Sequence, residues 1–208
     1  MFQSVHIPIS KISNPNFNKL QNLTITMHYL LQYLKYISTH KFWVMYYCFK
    51  EGLYYRGLLH DINKFEPSNF LAYANYFYLK NGQGKFVRDK TGYYDASNTN
   101  DKTFDYAWHY HQKTNKHHWQ YWCLPKDDGT FKCLDMPKVY IIEMLCDWRG
   151  AGRAQKTNPL GTWQEVLRYY KSNKFKMYFT PSTRQTLEEI LNKKVYEEQV
   201  YDLVGSLK

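Results

Sequence analysis

The chain has 208 residues and a formal net charge of +10, from 28 basic and 18 acidic side chains; 19 % of it is Phe, Trp or Tyr, against only 10 Gly and 7 Pro. This length can bury one sizeable core, and the shortage of turn residues argues against a β-sandwich and for helices. Nowhere do 18 apolar residues run together, which excludes a membrane-spanning helix.

In chain order, residues 1 to about 18 read as an irregular arm containing Pro8 and Pro15. From Leu20 to about Gly52 apolar residues recur every three to four positions (Leu23, Met27, Leu30, Leu31, Leu34), which predicts a helix. Ser38-Thr39 is expected to divide it, with Thr39 capping the second part. A short helix then carries His60-Asp61, and Pro67 restarts a helix running to about Lys80. Residues 81–100 carry the strongest loop signal. A helix is predicted over 101–115, with Asn115 at its end. Trp119–Cys123 and Thr130–Leu134 flank Pro-Lys-Asp-Asp-Gly, whose Asp-Gly predicts the turn of a two-stranded ribbon. Pro137–Ala151 reads as a helix ended by Gly150 and Gly152. Two further helices follow, about 160–172 and 181–204, the last capped by Thr180 before Pro181.

Cysteines stand at 48, 123, 133 and 146. None forms a Cys-x-x-Cys pair, which argues against a structural zinc ribbon. Cys123 and Cys133 can be bridged across the ribbon, although reduced, packed thiols fit an intracellular chain better. No basic segment precedes an apolar one at the N-terminus, so a soluble cytoplasmic protein is expected. The abundance of Tyr, Lys and Asn suits an AT-rich genome, viral, phage or bacterial; for a virus the location is the host-cell cytoplasm. A positive field of this size draws phosphorylated ligands, while the plain alternative is a solvated basic surface. The basic residues are spread along the chain, which suits a small phosphorylated molecule or oligonucleotide better than a long duplex.

The residues that point to chemistry begin with His60-Asp61, an imidazole and a carboxylate side by side. Metal chemistry needs such donors to converge from different elements with positions left for water and substrate. His40 lies 20 residues earlier, on the preceding helix, and could reach the same ion from there. His109 and His111 point about 200° apart on a helix, so only one of them faces the site. Asn115 and the adjacent His117-His118 suggest a break that redirects the chain. Glu143 and Asp147, four apart, share a helical face. Each has a plain alternative: a packed, hydrogen-bonded histidine, an aromatic cluster of His117 and His118 with Trp119 and Trp122, an exposed acidic face for Glu143 and Asp147.

His40, then His-Asp-x-x-Lys as His60-Asp61-Ile62-Asn63-Lys64, then later His and Asp on a helical chain, resembles the HD-domain metal-dependent phosphohydrolases. More closely, the chain resembles a family of phage and bacterial HD-like proteins of unknown function. That pattern is carried here by Gly57 through Phe65, Ala107-Trp108 with His111, Asn115 through Trp122, Met136-Pro137, Glu143-Met144 and Asp147 through Gly152. The resemblance covers about residues 38–155. It implies an all-α, HD-like helical bundle with a small β-hairpin insertion, a single domain over 19–208 after the arm, with C-terminal helices in 160–208. It implies metal ligands at His40, His60, Asp61, His111, His118 and Asp147, with His109, His117 and Glu143 as additional candidates and Asp61 as the bridge. The cofactor is then one or two divalent ions (Mn, Mg, Co, Fe or Zn). Asp61 and Lys64 would be catalytic, and Lys64 and Arg56 would hold the substrate phosphate. The implied reaction is hydrolysis of a phosphate monoester or diester in a nucleotide, cyclic nucleotide or short oligonucleotide. Two alternatives use the same scaffold without catalysis: a nucleic-acid- or protein-binding module, and a sequestering site for a signalling nucleotide.

Overall fold

Tyr33, Ile37, His40, Val44 and Tyr47 recur every three to four residues and, with Cys48, are all buried along one side of a single helix, α1 (Pro15–Lys50). The protein is seen in a computed structural model that describes residues 15–80, 89–91, 95–96 and 99–205. The predicted arm and the predicted loop over 81–100 fall largely outside the described residues, and α1 already takes in residues 15–18. The expected break at Ser38-Thr39 does not occur. The Thr39 hydroxyl donates to the Lys35 carbonyl at 2.7 Å, a bond available to Thr inside a helix, and the buried stripe continues past it.

The next helix, α2 (Tyr54–Leu59), lies hard against α1: a Cβ at Gly57 would stand 2.9 Å from Cys48 Cβ. After it the chain does not remain helical through His60-Asp61, contrary to the sequence expectation. His60 is extended (φ −51, ψ 127), Asp61 is left-handed (φ 53, ψ 25), and a 3₁₀ turn, Ile62–Phe65, follows. Helix α3 (Pro67–Ala74) passes into a π-helical stretch, Asn75–Lys80. Helix α4 (Lys102–Thr114) is capped by the Asp101 carboxylate, which accepts from Thr103 N and Phe104 N at 3.1 and 3.2 Å. The ribbon is present but short. Strands β1 (Cys123–Pro125) and β2 (Phe131–Cys133) pair antiparallel, while Trp119–Trp122 forms a 3₁₀ turn instead of a strand. Cys123 lies opposite Cys133, and all four cysteines are free thiols.

Helix α5 (Lys138–Ala154) runs through Gly150 and Gly152 instead of ending there. Both glycines serve close packing: a Cβ at Gly150 would meet Val44 Cγ2 of α1 at 2.5 Å, and one at Gly152 would meet Asn158 Cβ at 2.7 Å. Helices α6 (Trp163–Asn173) and α7 (Pro181–Gly205) follow, capped by Thr162 and Thr180. The chain is thus all-α apart from one small hairpin, as the sequence predicts. Among the described residues no helix is long and apolar enough to cross a membrane.

Two apolar cores form. One is rich in aromatic rings and joins α1, α3 with its π-helical continuation, and α4 through Tyr33, Ile37, Tyr73, Phe77 and Phe104. The other is largely aliphatic and joins α5, α6 and α7 through Ile141, Leu145, Val166, Leu187 and Leu191. Between them α1 meets α5 across a thin seam of Val44, Tyr47, Cys48 and Cys146. Buried polar residues from α1, from the break after α2, from the end of α4 and the turn beyond it, and from α5 gather beside this seam, among them His40, His60, Asp61, His111, His117 and Glu143.

Candidate metal centre

Five histidines and three carboxylates from five places in the chain converge there. His40 comes from α1, His60-Asp61 from the break after α2, His111 from the last turn of α4, His117-His118 from the turn beyond it, and Glu143 and Asp147 from α5. His40, His60, Asp61, His111 and His117 are each 3 % exposed or less, an unusual state for groups of this polarity.

Asp61 is the centre of the arrangement, and its two oxygens face different partners. Oδ2 lies 3.4 Å from His40 Nε2 and 3.5 Å from His60 Nε2; these two nitrogens lie 3.2 and 3.4 Å from Asp147 Oδ1. Oδ1 lies 3.4 Å from His111 Nε2 and 3.3 Å from His117 Nε2, and His118 Nε2 stands 2.9 Å from His111 Nε2. His40, His60, Asp61 and Asp147 therefore make one set of donors, and Asp61, His111, His117 and His118 a second.

The donors fit a divalent cation on two grounds. Atoms placed about 2.1 Å from one ion stand about 3.4 Å apart in a tetrahedral set and about 3.0 Å apart in an octahedral one, which matches these separations. His40 Nε2, His60 Nε2, Asp61 Oδ1 and His117 Nε2 are buried and have no hydrogen-bond partner among the described residues, although opposite-charge atoms lie 3.2–3.5 Å away. Buried polar atoms are costly unless paired, so lone pairs turned together toward a shared point suit a cation better than a direct hydrogen bond. Nitrogen and carboxylate donors together suit Zn, Fe, Mn or Co.

A second layer holds the imidazoles in the right sense. Glu143 Oε1 accepts from His60 Nδ1 at 3.3 Å and faces His117 Nδ1 at 3.5 Å, so one carboxylate orients a histidine of each set. Arg56 donates to the other Glu143 oxygen at 3.0 Å, and its guanidinium lies 4.0 Å above the Tyr140 ring. His111 Nδ1 donates to Asn63 Oδ1 at 3.1 Å, while Asn63 donates to the Thr114 hydroxyl at 2.9 Å. Lys41 donates to the Leu58 and His60 carbonyls at 2.7 and 2.8 Å, which secures the chain where it leaves α2. Lys64 Nζ is 2.6 Å from Asp61 Oδ2.

The left-handed backbone of Asp61 has a clear use. On one helix the side chains of adjacent residues diverge by 100°, which would turn His60 and Asp61 away from each other. The turn at Asp61 brings them together, at the strain a buried non-glycine residue carries in that region.

Electrostatics reflect the crowding. Burial works against a charge on His60, yet Asp61, Asp147 and Glu143 raise its pKa to about 10. Burial would raise the Asp61 carboxyl, but His60, Lys64 and His111 hold it well below the usual range. His118 moves the other way, to about 3, through burial and the neighbouring His117. In the metal-free protein, protons on some imidazoles thus balance the carboxylates where cations would otherwise do so.

Of the residues singled out from sequence, His40, His60, Asp61, His111, His118 and Asp147 are brought together, with His117 and Glu143 from the additional candidates. His109 is not: it points to solvent from the opposite side of α4. Arg56 holds Glu143 instead of standing free for a phosphate. Sequence reasoning missed Lys41 and Asn63. Their only signal was adjacency to His40 and to the His-Asp pair.

An all-α protein with a buried histidine–carboxylate cluster able to hold metal is the class that fold and site define. The chain matches a protein family described as "Family of unknown function (DUF5662)" over residues 30–193, and it belongs to that family. No curated protein and no solved structure matches it. The matched span contains every residue of the cluster.

Proposed function

We propose that this protein is a metal-dependent phosphohydrolase of the HD-domain kind, cleaving a phosphate ester of a nucleotide, cyclic nucleotide or short oligonucleotide. The observation that carries the reading is Asp61, whose two oxygens face two different sets of donors. A carboxylate shared in this way suits two neighbouring ions, an arrangement used for in-line displacement at phosphorus. The His40, His60-Asp61 and Asp147 set also agrees with the HD pattern that the sequence resembles.

Charge favours an anionic substrate. With neutral imidazoles, Asp61, Asp147 and Glu143 exceed Lys64 and Arg56 by one negative charge, so even one divalent ion leaves the centre positive. The chain's overall +10 adds a long-range attraction of the same sign. Bound divalent ions would supply Lewis acidity and a water of lowered pKa.

The chain's own residues supply the rest. Glu143 accepts from Nδ1 of His60 and faces Nδ1 of His117, so when these rings are neutral their Nε2 lone pairs would be left for an ion. Lys64 and Asp147 keep 14 % and 16 % of their side chains exposed and His118 is partly exposed, whereas His40, His60, Asp61, His111 and His117 are nearly sealed, so substrate would enter on the side of the first three. Lys64 there receives a phosphoryl oxygen and offsets charge as the ester bond breaks.

The test is purified protein with manganese, cobalt or magnesium against a panel of nucleotides, cyclic nucleotides and short oligonucleotides. Release of phosphate or a nucleoside product from some member, lost in Asp61→Ala, is expected. Tight metal binding with no turnover across the panel would overturn the enzymatic reading and leave a binding protein.

A further inference from the structure

A cavity of about 440 Å³ lies between α5 and α6, away from the metal donors. Its volume is that of a small-molecule pocket. Trp148 and Ala151 line it from α5 and Gln155 from the cap just beyond, at helical spacing, and Tyr169 and Ser172 line it from α6. Thr91 closes a third side, and that wall is fastened. The Thr91 hydroxyl donates to Asn173 Oδ1 at 2.6 Å, and Asn173 Nδ2 donates back to the Thr91 carbonyl at 3.1 Å, with Asn173 wholly buried. Trp148 and Tyr169 meet edge to face with centroids 5.5 Å apart, so aromatic surface forms the wall between the two helices. The charged lining residues stand at the rim: Arg168 is paired with Glu165 at 2.7 Å, and Lys90 is exposed to solvent, so the aromatic wall between the helices is itself uncharged.

The cavity is joined to the metal centre by named contacts. Trp148 directly follows Asp147. Gln155, eight residues beyond Asp147 and about 12 Å along the helix, donates to the Tyr36 hydroxyl at 2.8 Å. The Tyr36 ring is stacked on His40 at 6.3 Å. Trp148 lines the cavity and its chain neighbour Asp147 is a metal donor, so a phosphate at the donors and a ring in the cavity are on the length scale of one extended nucleotide apart.

We infer that the cavity is a second binding site, which takes the planar, uncharged ring of a phosphorylated substrate, a nucleobase being the type that suits this chemistry. The ligand's identity, though not the existence of the site, rests on the reaction proposed above. Aromatic walls give the ring a stacking surface, and the Gln155 amide on the cavity lining offers an adaptable polar contact.

The test uses nucleosides, which lack the phosphate and so report on the cavity alone. Adenosine, guanosine, cytidine and uridine are titrated calorimetrically into the protein as purified, with hydrogen exchange to locate any binding. At least one nucleoside is expected to bind saturably and slow exchange in peptides spanning 148–155 and 165–172. Ser172→Phe, which fills the cavity, should weaken that binding by about tenfold or more while leaving the metal content by elemental analysis unchanged. The inference is overturned if no nucleoside binds, if protection falls elsewhere, or if Ser172→Phe binds as tightly as the wild type. Should Ser172→Phe fail to fold by circular dichroism, the wild-type exchange map decides. Nucleoside binding in a protein that hydrolyses nothing keeps the cavity site and discards the reaction; turnover without nucleoside binding does the reverse.

Discussion

The two sides of Asp61 are built by different means. On one side His40 and Asp147 come from long helices, α1 and α5, whose positions are set by buried apolar stripes and by the close approach of Gly150 to Val44. On the other side His117 and His118 come from a turn, held to His111 at the end of α4 and steadied by hydrogen bonds. Asn115 donates to the His111 carbonyl at 2.8 Å, and Asn63 accepts from its ring. The first side is rigid because packing is dense; the second is rigid only while its polar contacts are kept. Asp61 belongs to both, so it couples a helix-built half to a turn-built half.

The largest effect should therefore come from Asp61→Ala. It removes the shared donor, and metal content by elemental analysis is expected to fall to background for both halves. A variant that retains a full complement of ion would show that the donor sets do not depend on Asp61. Next, His40→Ala and His118→Ala each take one donor from one side only. Each is expected to halve the metal stoichiometry of a two-ion centre, and only His118→Ala should leave the His40 set loaded. If either variant loses all metal, the halves are one cooperative unit and the contrast between them fails.

Glu143→Gln should act more gently and on both halves at once, since Glu143 touches His60 and His117. A loss of about 10- to 100-fold in metal affinity is expected, measured by competition with a chromogenic chelator. Loss confined to one half of the stoichiometry would show that Glu143 serves a single ion.

The smallest effect concerns pH. In metal-free protein the folded pKa of His60, about 10, lies above its ordinary 6.5, and that of His117 is also raised, by Asp61 and Glu143 against the cost of burial. Their contribution to stability is complete below pH 6.5 and declines as pH rises toward 10. The melting temperature in chelator should therefore fall between pH 7 and pH 9. With metal bound, His60 is neutral as a ligand, and binding is favoured as protons become scarcer. The gap between chelated and metal-loaded melting temperatures should widen over that interval. A gap that narrows would show that the imidazoles are not ligands.

Much of the fold was readable from periodicity. The α4, α6 and α7 boundaries, the Thr180 cap and the Asp-Gly hairpin follow from local spacing and turn chemistry. The errors have a common origin in tertiary packing. Ser38-Thr39 looked like a break, but the buried stripe of α1 holds the helix together. Gly150 and Gly152 looked like helix terminators because glycine often ends helices, whereas here they admit Val44 and Asn158. In the centre, His117 ranked below His118, since nothing in Lys-His-His-Trp says that both rings turn the same way.

What the order of residues decided alone was the inventory: a helical chain, an aromatic and basic composition, and histidines and carboxylates spaced to meet. Local forces suffice for that, because helix periodicity, caps and turns act within a few residues. What only tertiary structure decided was convergence: the left-handed turn at Asp61 that brings it together with His60, the sharing of Asp61 between two donor sets, and the service of Glu143 to both. Those outcomes depend on how α1, α4 and α5 pack across long stretches of chain, and no local pattern carries that information.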